Sequence, residues 1–272
     1  MSIDTWNPKT FDGEILAMLV KHSKLIFDYH VEMDKYIHCS SCPSFSPNQL
    51  FQTYHNFHEN TPTPIIVKCR IRTWHYTRLT DEEADAMAQQ ISPSSLHFLR
   101  HRLNNLVAKQ LITDDAAKII FDQSVFHKQP NRAGILCTTT HPIPYDDPGV
   151  NPLLENWGGE SAYFWLHDEG LIQTLKNIGT PRIIEIETSL SDKVNGYSVA
   201  GKIIEAWACQ HGAPTTISGC ALAIGDCINT AKVLRIHTKG DNTFETIGTV
   251  YPEGITMLQD TGPHENGTEK VI

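Results

Sequence analysis

The sequence predicts an α/β protein of the α+β kind, with a mixed β-sheet, an N-terminal helical segment and helices inserted after the first core strand. Two observations predict this class. Apolar residues recur at steps of three and four through residues 11–38 and again after residue 80, as on one face of a helix. Residues 65–76 and five later segments are instead rich in β-branched and aromatic residues, as in strands. With 40% hydrophobic and 19% charged residues, the chain has the composition of a globular protein.

The N-terminal part is expected to be helical and to lead into an irregular connector. The apolar spacing predicts one long amphipathic helix over residues 11–38. Residues 39–64 are rich in Ser, Pro and Asn and contain the stiff TPTP sequence, which predicts a connector or a small subdomain. We therefore expect a helical segment and connector at 1–64, an α/β catalytic-type domain at 65–258 and a polar tail at 259–272.

The middle of the chain carries alternating strand and helix signals. The alternating residues 65–76 predict the first core strand. Thr80 followed by Glu83 forms a capping box, and Ser92 before a proline and Thr113 before two aspartates mark two further helix starts. The remaining predictions are strands near 133–139, 160–166, 182–190, 231–238 and 244–250, a helix near 199–211 and a hairpin turn at Gly240 and Asp241.

Charge and composition bound the class of protein. The 31 acidic and 22 basic residues give a net charge of -9, which argues against coating of nucleic acid by the whole surface. The beginning of the chain lacks a secretory signal, no apolar run approaches the ~18 residues of a membrane helix, and five of the seven cysteines are scattered. We therefore expect a cytoplasmic protein with free thiols and no membrane contact.

Several common catalytic motifs are absent from the sequence. There is no phosphate-binding G-x-x-x-x-G-K-[ST] loop, no G-x-S-x-G elbow, no H-E-x-x-H and no G-x-G-x-x-G after a strand. This argues against P-loop kinases, α/β hydrolases, zincin proteases and Rossmann dehydrogenases.

The first candidate site lies where the first core strand ends, at His75, Tyr76 and Thr77. A histidine at the exit of a strand lies where α/β folds expose functional groups, and its neutral ring both donates and accepts hydrogen bonds. Such chemistry suits a ribose hydroxyl or a carboxamide. The alternative is a half-buried histidine that caps the following turn.

The second candidate site combines Gly158, Gly159, Glu160 and Tyr163. The glycines permit close backbone approach, and an aromatic ring beside a carboxylate suits a cationic planar ring such as nicotinamide. The alternative is a core strand with aromatic anchors. A third candidate is Arg132, which would bind phosphate as a bidentate donor or else lie solvated at a strand edge.

A cysteine and histidine pattern in the connector resembles a zinc ligand set. Cys39 and Cys42 precede His55 and His58 at the distance found in zinc fingers, but the two histidines stand closer together than usual. A cysteine pair in a polar connector is therefore favoured over a structural zinc ion, and we expect no other metal site.

The order of these motifs resembles the ADP-ribosyltransferase superfamily, in its histidine–tyrosine–glutamate branch. The stretch from Trp74 to Thr77 is similar to the first element of that branch, and the stretch from Gly158 to Phe164 is similar to the second. The resemblance extends over about residues 70–250. For the third element, strand order favours Glu245 and proximity to the tyrosine favours Glu160, while Glu185 and Glu187 are also available.

The resemblance implies NAD as the substrate and an ADP-ribosyl group as the part transferred to a nucleic acid or a protein. It implies that His75 binds a ribose hydroxyl, Tyr163 stacks on nicotinamide, a glutamate stabilises the transition state, and Tyr76, Thr77 and Arg132 help to bind NAD. It further implies a toxin of a toxin–antitoxin or antiviral defence system, with an antitoxin or chaperone as partner and RNA or DNA as acceptor.

Two other classes of function remain open on the sequence alone. One is a non-catalytic interaction module, in which the N-terminal helix and the segment around Glu160 bind a partner protein. The other is an RNA-directed nuclease or phosphotransferase that uses His75 and nearby arginines. The region 68–132 is richer in Lys and Arg than in Asp and Glu, so a polyanion would meet it more easily than the acidic region 141–205.

Overall fold

The computed structural model describes residues 2–38, 49–190, 193–225 and 228–255. The strands are β1 (Arg70–Leu79), β2 (Leu136–Thr139), β3 (Thr180–Ser189), β4 (Ala221–Ile224) and β5 (Lys232–Thr238). The helices up to the first core strand are α1 (Gly13–Lys21), α2 (Ser23–His38), α3 (Phe51–Asn60) and α4 (Pro62–Ile66). The later helices are α5 (Asp81–Gln89), α6 (Leu96–Ala108), α7 (Asp114–Asp122), α8 (Val125–Lys128), α9 (Asn151–Glu155), α10 (Glu160–Tyr163), α11 (Glu169–Lys176) and α12 (Lys193–Gln210).

The five strands form one sheet in the order β4-β2-β1-β3-β5, and all neighbouring strands pair antiparallel. The central strands β1 and β3 pair along their whole length, from Arg70 opposite Ser189 to Leu79 opposite Thr180. In contrast, β1 and β2 share a single register pair, Trp74 with Thr139. The sheet is therefore continuous on one side of β1 and weakly joined on the other.

The hydrophobic core lies mainly on the sheet face that α12 covers. Ile71 of β1 and Ile184 of β3 are fully buried there against Ile203 of α12, in a cluster that also contains Ile15 of α1 and Phe57 of α3. The N-terminal helices thus share one apolar cluster with the sheet, across the boundary predicted at residue 64. A second cluster joins α6, α7 and α11, and a third covers the opposite face of β1 and β3.

The predicted fold class is confirmed: the protein is an α+β protein with N-terminal helices and with helices α5 to α8 inserted after the first core strand. The sheet, which was predicted to be mixed, is antiparallel at every strand pair of the described residues. Two predicted helix starts are also confirmed. Thr80 and Glu83 form both hydrogen bonds of a capping box at α5, and the Thr113 side chain accepts from the Ala116 N–H at α7. Among the described residues, no helix combines the length and the apolar composition that crossing a membrane requires.

Several predicted elements were wrong, for local reasons. The predicted helix over 11–38 is two helices, because α1 ends at a non-helical residue, His22. The predicted connector contains α3 and α4, the latter with Pro62 at its first position, so β1 begins only at Arg70. Helix α6 begins after Ser95, whose side chain accepts from the Phe98 N–H, and not after Ser92.

The two strands predicted at 160–166 and 244–250 do not exist. Glu160–Tyr163 is the short helix α10, because Gly158 and Gly159 both adopt positive φ and turn the chain before it. Residues 242–249 form consecutive turns beneath which Phe244 is buried, so the hairpin predicted at Gly240 and Asp241 has no second strand. Aromatic content produced the first wrong prediction, and the hairpin signal at Gly240 and Asp241 produced the second.

Candidate functional site

A cavity of about 750 Å³ is lined by residues of β1, β2, α5, α6 and the loop that leads into α10. It falls within the size range of sites for small molecules, which is roughly 300–1,000 Å³. Both β1 and β2 contribute to its wall, next to the point where their backbone pairing stops. The polar side chains relevant to chemistry in its lining are those of His75, Thr77, Glu82, Glu83, His97, His101, Arg102, Arg132 and Glu160.

His75 lines this cavity in a defined protonation state. Its Nδ1 lies 2.8 Å from the carbonyl oxygen of Cys137 in β2, and because a carbonyl only accepts hydrogen bonds, Nδ1 must carry the proton. Burial lowers the pKa of His75; the bond to Cys137 raises it in part, and the charge of Arg102 lowers it further. The ring is therefore neutral near pH 7, and its Nε2 carries a lone pair. Within the described residues, Nε2 has no hydrogen-bond partner, so it can accept a proton or a hydrogen bond from a ligand hydroxyl.

Glu160 lies in the same cavity and forms an ion pair with Arg132 through its Oε2. About a third of each of these two side chains remains exposed, so both are accessible to a ligand. Burial and then the negative charge of Glu160 raise the pKa of the Cys137 thiol, and the Cys137 carbonyl holds His75. Cys137, Glu160 and His75 all line the cavity, and Cys137 accepts a hydrogen bond from His75 and is influenced by the charge of Glu160.

A buried cluster of Glu83, Arg102 and Trp157 forms another part of the wall. Arg102 Nε donates to Glu83 Oε1 at 2.7 Å, while Glu83 Oε2 accepts from Trp157 Nε1 and from the Thr80 N–H, each at 2.9 Å. The Arg102 guanidinium also lies over the Trp157 ring, 4.4 Å from its centroid. Burial alone would raise the pKa of Glu83, but the Arg102 charge and these hydrogen bonds outweigh it, and the pKa is lowered. The carboxylate is consequently ionised beside a buried cation.

The exposed face of α6 forms the mouth of the cavity. His97 and His101 are one turn apart and exposed, and Lys109 forms an ion pair with Glu82 of α5. The three consecutive basic residues Arg100, His101 and Arg102 of α6 therefore do not share one surface. Arg100 stacks over the Phe121 ring outside the cavity, His101 lies at the mouth, and Arg102 lies in the wall.

The predicted NAD-binding residues beside His75 fall into two groups. Thr77 lies on the same face of β1 as His75 and also lines the cavity. Tyr76 points to the opposite face, where its hydroxyl donates to the Ile143 carbonyl and accepts from the Ile143 N–H. Its ring packs in the third apolar cluster, so Tyr76 serves the core rather than offering its phenol to a ligand.

Tyr163, the predicted stacking residue, is not among the described residues that line the cavity. It closes α10 and packs against the apolar cluster of α6, α7 and α11. Burial, followed by the charge of Glu160, raises its pKa to about 12. The structure thus brings His75, Tyr76, Thr77, Arg132 and Glu160 to the lining of one cavity, Tyr76 with its hydroxyl already bonded to Ile143. Tyr163 lies at the far end of the short helix that begins with Glu160.

The other three glutamates considered for catalysis lie away from the cavity. Glu185 stands opposite Trp74 in the β1–β3 pairing and therefore faces the other side of the sheet from His75, as does Glu187. Glu245 is exposed in the turns that follow β5. Of the four alternatives, only Glu160 lines the cavity, which makes it the carboxylate to test.

The suggested zinc ligands are only partly described. Cys39 and Cys42 lie outside the described residues. His55 Nδ1 lies 2.9 Å from the Tyr197 hydroxyl, and the buried His58 ring packs 3.9 Å from the Tyr197 ring. Among the described residues, no group of three or more His, Cys, Asp or Glu side chains could hold a metal ion.

The sequence did contain a signal for Arg102. In α6 the buried positions are Leu99, Arg102, Leu103 and Leu106, so an arginine stands on the apolar face of an amphipathic helix. A buried arginine requires a partner, and Glu83 had been interpreted only as the capping-box residue. Its second role, pairing with Arg102 and Trp157, depends on tertiary contacts that no local pattern encodes.

Comparisons with protein-family models, with curated proteins and with solved structures found no match to this chain. The function must therefore be argued from the cavity itself.

Proposed function

We propose that this protein is an NAD-dependent ADP-ribosyltransferase that modifies a macromolecular acceptor, with His75 and Glu160 as its principal catalytic-site residues. The observation that carries the proposal is the pairing, in one cavity, of a neutral histidine with a free Nε2 and an accessible carboxylate. A ribose offers two neighbouring hydroxyls to such a pair of acceptors. The resemblance of the stretches Trp74 to Thr77 and Gly158 to Phe164 to two elements of ADP-ribosyltransferases supports the same class of activity. The choice of Glu160, which precedes Tyr163 in the sequence, rests on its place in the cavity and not on motif order.

In this mechanism, the His75 Nε2 accepts a hydrogen bond from one hydroxyl of the nicotinamide ribose, and its bond to Cys137 holds the ring in place. The Glu160 carboxylate accepts from the other hydroxyl and stabilises the positive charge that develops on the ribose. The bond between ribose and nicotinamide breaks with its electron pair leaving on nicotinamide. The acceptor nucleophile then bonds to the same carbon and releases a proton, for which Glu160 is the available base.

Arg132 has a different role in this proposal from the one its sequence position suggested. Because it forms an ion pair with Glu160, it orients the carboxylate rather than offering a free guanidinium to phosphate. Tyr163 lies outside the cavity lining, so the aromatic surface for nicotinamide would have to come from rings that do line it, such as Phe98 or Phe126.

The test is release of nicotinamide from NAD by the full chain, supplied with cellular RNA, DNA and protein fractions as acceptors. Glu160→Gln should lower kcat by about 100-fold or more, because the amide is neutral at the position where charge develops. His75→Asn keeps a donor for the Cys137 carbonyl but lacks an acceptor at Nε2, and should mainly raise KM. His127→Asn alters an exposed histidine outside the cavity and serves as the matched control.

Two results would overturn the proposal. One is wild-type protein that neither binds NAD nor releases nicotinamide with any acceptor fraction, which would favour an interaction module. The other is cleavage of RNA that persists without NAD and depends on His75, which would favour a nuclease or phosphotransferase.

The proposal includes a toxin-like activity, and such an activity requires a partner that restrains the enzyme, such as an antitoxin or a chaperone. Expression of the wild type should then slow the growth of host cells, whereas the Glu160→Gln variant should be tolerated at equal abundance. Equal tolerance of both proteins would remove the support for a toxin and leave the transferase assignment to the nicotinamide measurement.

A further inference from the structure

Arg102 is a buried cation whose hydrogen-bonding capacity is only partly used. The residue is 9% exposed, and its Nε donates to Glu83. Its Nη2 is fully buried and has no hydrogen-bond partner within the described residues. A guanidinium offers five N–H donors, and leaving one of its nitrogens unpaired inside a protein is costly. Such a group calls for an explanation beyond the stability of the fold.

The surroundings of Arg102 leave space on the side of the cavity. Arg102 is part of the cavity wall, as are Gly158 and Gly159 of the neighbouring loop. Nη1 lies near Gly158: a methyl group built on that glycine would be 3.9 Å from it. Neither glycine carries a side chain that could cover the guanidinium, and Glu83 occupies only the Nε edge. The ion pair with Glu83 and the Trp157 ring hold the guanidinium in position before any ligand arrives.

We propose that Arg102 binds an oxyanion of phosphate type, using the Nη1 side of its guanidinium, at the end of the cavity formed by α6 and the glycine loop. Nη2 is too buried for a ligand to reach, whereas Nη1 is the nitrogen beside Gly158 of the cavity lining. The Nη1 donors and the guanidinium charge bind a phosphate oxygen more strongly in a partly desolvated site than at the surface. The inference deepens the proposed function, on which its link to NAD rests, because it assigns the phosphate-binding role to Arg102 instead of Arg132. The contact with phosphate itself does not depend on that function.

The test uses three small probes: inorganic pyrophosphate, ADP and nicotinamide riboside, which has no phosphate. Binding is measured by calorimetry and by the shift in unfolding temperature of the full chain. The wild type should bind pyrophosphate and ADP, and Arg102→Met should weaken both by about tenfold or more. Nicotinamide riboside should bind both proteins alike. Arg100→Met, which removes an exposed arginine of the same helix outside the cavity, is the matched control and should bind like the wild type.

Arg102 is also part of a buried ion pair, so a second variant is needed in case Arg102→Met does not fold. Glu83→Gln removes the carboxylate that competes for the guanidinium while retaining an acceptor for Trp157 and the Thr80 N–H. If Arg102 binds the anion, Glu83→Gln should tighten pyrophosphate binding by a few-fold. If Arg102 has only a structural role, the affinity should be unchanged or weaker, and the inference would be wrong.

The failure of this inference differs from the failure of the proposed function. Binding of nicotinamide riboside without any binding of pyrophosphate or ADP contradicts the anion site and leaves the transferase assignment in place. Binding of pyrophosphate that depends on Arg102, without any turnover of NAD, supports the anion site and contradicts the transferase. Binding of pyrophosphate that Arg102→Met leaves unchanged, in a protein that folds, overturns the inference.

Discussion

His75 and His237 lie on opposite faces of the same sheet, and they differ in how many of their ring atoms the protein uses. Both nitrogens of His237 are bonded, Nδ1 to the Thr243 hydroxyl at 2.7 Å and Nε2 to Glu185 at 2.9 Å, and the residue is 2% exposed. His75 uses one nitrogen and presents the other to a cavity. The difference separates a histidine that belongs to the fold from one that is available for chemistry.

The charged groups around the two histidines differ in the same way, because those near His237 contact one another and those near His75 line the cavity. On the His237 face, Glu185 lies within ion-pair distance of Arg72, and Arg72 Nε lies 3.1 Å from Asp4 Oδ1, although these two atoms form no hydrogen bond within the described residues. On the His75 face, Arg102 Nη2 has no hydrogen-bond partner within the described residues, and the Glu160 side chain remains about one-third exposed. The charges of the His237 face are therefore matched by neighbouring charges of the protein, whereas Arg102 and Glu160 of the His75 face line a cavity that a ligand can enter.

The largest expected effect on the free energy of unfolding comes from removing Glu185, which contacts both Arg72 and His237. Glu185→Ala would leave the buried His237 Nε2 without its partner, which typically costs about 1–3 kcal/mol, and would also leave the one-third exposed Arg72 without this carboxylate. Glu160→Ala breaks an ion pair that is one-third exposed and should cost less than about 1 kcal/mol. Urea unfolding of both variants measures the difference. Equal losses for the two variants would contradict the division of the two faces into structural and functional.

How far the sequence predicted this molecule depends on whether the signal was local. The capping box of Thr80 and Glu83 and the cap at Thr113 are properties of a few neighbouring residues, and both were confirmed. The strand predicted from residue 65 exists only from Arg70 and buries residues on both of its faces. The segment from Glu160 was predicted as a strand from its aromatic residues. The positive φ of Gly158 and Gly159, which starts α10 instead, is a backbone choice that glycine permits but does not require.

The sequence predicted which residue types form the candidate site, but not how the fold brings them together. His75, Thr77, Arg132 and Glu160 were identified from residue type and position, and all four line the cavity. The choice among four glutamates needed the β1–β3 register, which turns Glu185 and Glu187 away from His75. The prediction that Tyr163 stacks on a ligand did not take account of tertiary packing, because its ring packs against the apolar cluster of α6, α7 and α11 instead of lining the cavity.

Two further histidines lie in the N-terminal helices, one in α2 and one in α3, and differ from both His75 and His237. They are buried, each has a ring nitrogen without a hydrogen-bond partner in the described part of the chain, and neither lines the cavity. His30 and His58 are 7% and 5% exposed, and in the described part of the chain neither Nε2 has a hydrogen-bond partner. Burial lowers the pKa of each to about 4. Each ring is therefore neutral in the folded protein over a pH range in which the unfolded chain already binds protons.

The consequence is a loss of stability in acid. The folded-state pKa of each residue lies below the unfolded value of 6.5, so no penalty exists above pH 6.5 and stability falls as the pH decreases from 6.5 towards 4. By pH 5 the loss amounts to about 2 kcal/mol for each histidine. The free energy of unfolding in urea, measured between pH 8 and pH 5, tests this expectation.

The matched variants for this measurement are His58→Gln and His97→Gln. The first removes one buried titrating ring and should flatten the acid loss by about 2 kcal/mol at pH 5, whatever it costs at pH 7. The second removes an exposed histidine and should leave the pH dependence of the wild type unchanged. A dependence that His58→Gln does not alter would show that other groups cause the acid loss.

The smallest expected effect on stability comes from replacing the two histidines of the sheet, His75 and His237. These variants compare a ring bonded through one nitrogen with a ring bonded through both. His237→Asn retains a short polar side chain but cannot reach both Thr243 and Glu185, so it should lower the free energy of unfolding by about 1–2 kcal/mol. His75→Asn can still donate to the Cys137 carbonyl and should cost less than about 1 kcal/mol. The same His75→Asn protein is expected to lose its affinity for NAD. Replacement of His75 would therefore weaken ligand binding with little loss of stability, whereas replacement of His237 would lower stability. A His75→Asn variant as unstable as His237→Asn would mean that the open nitrogen at the cavity matters to the fold, and the contrast between the two faces would no longer hold.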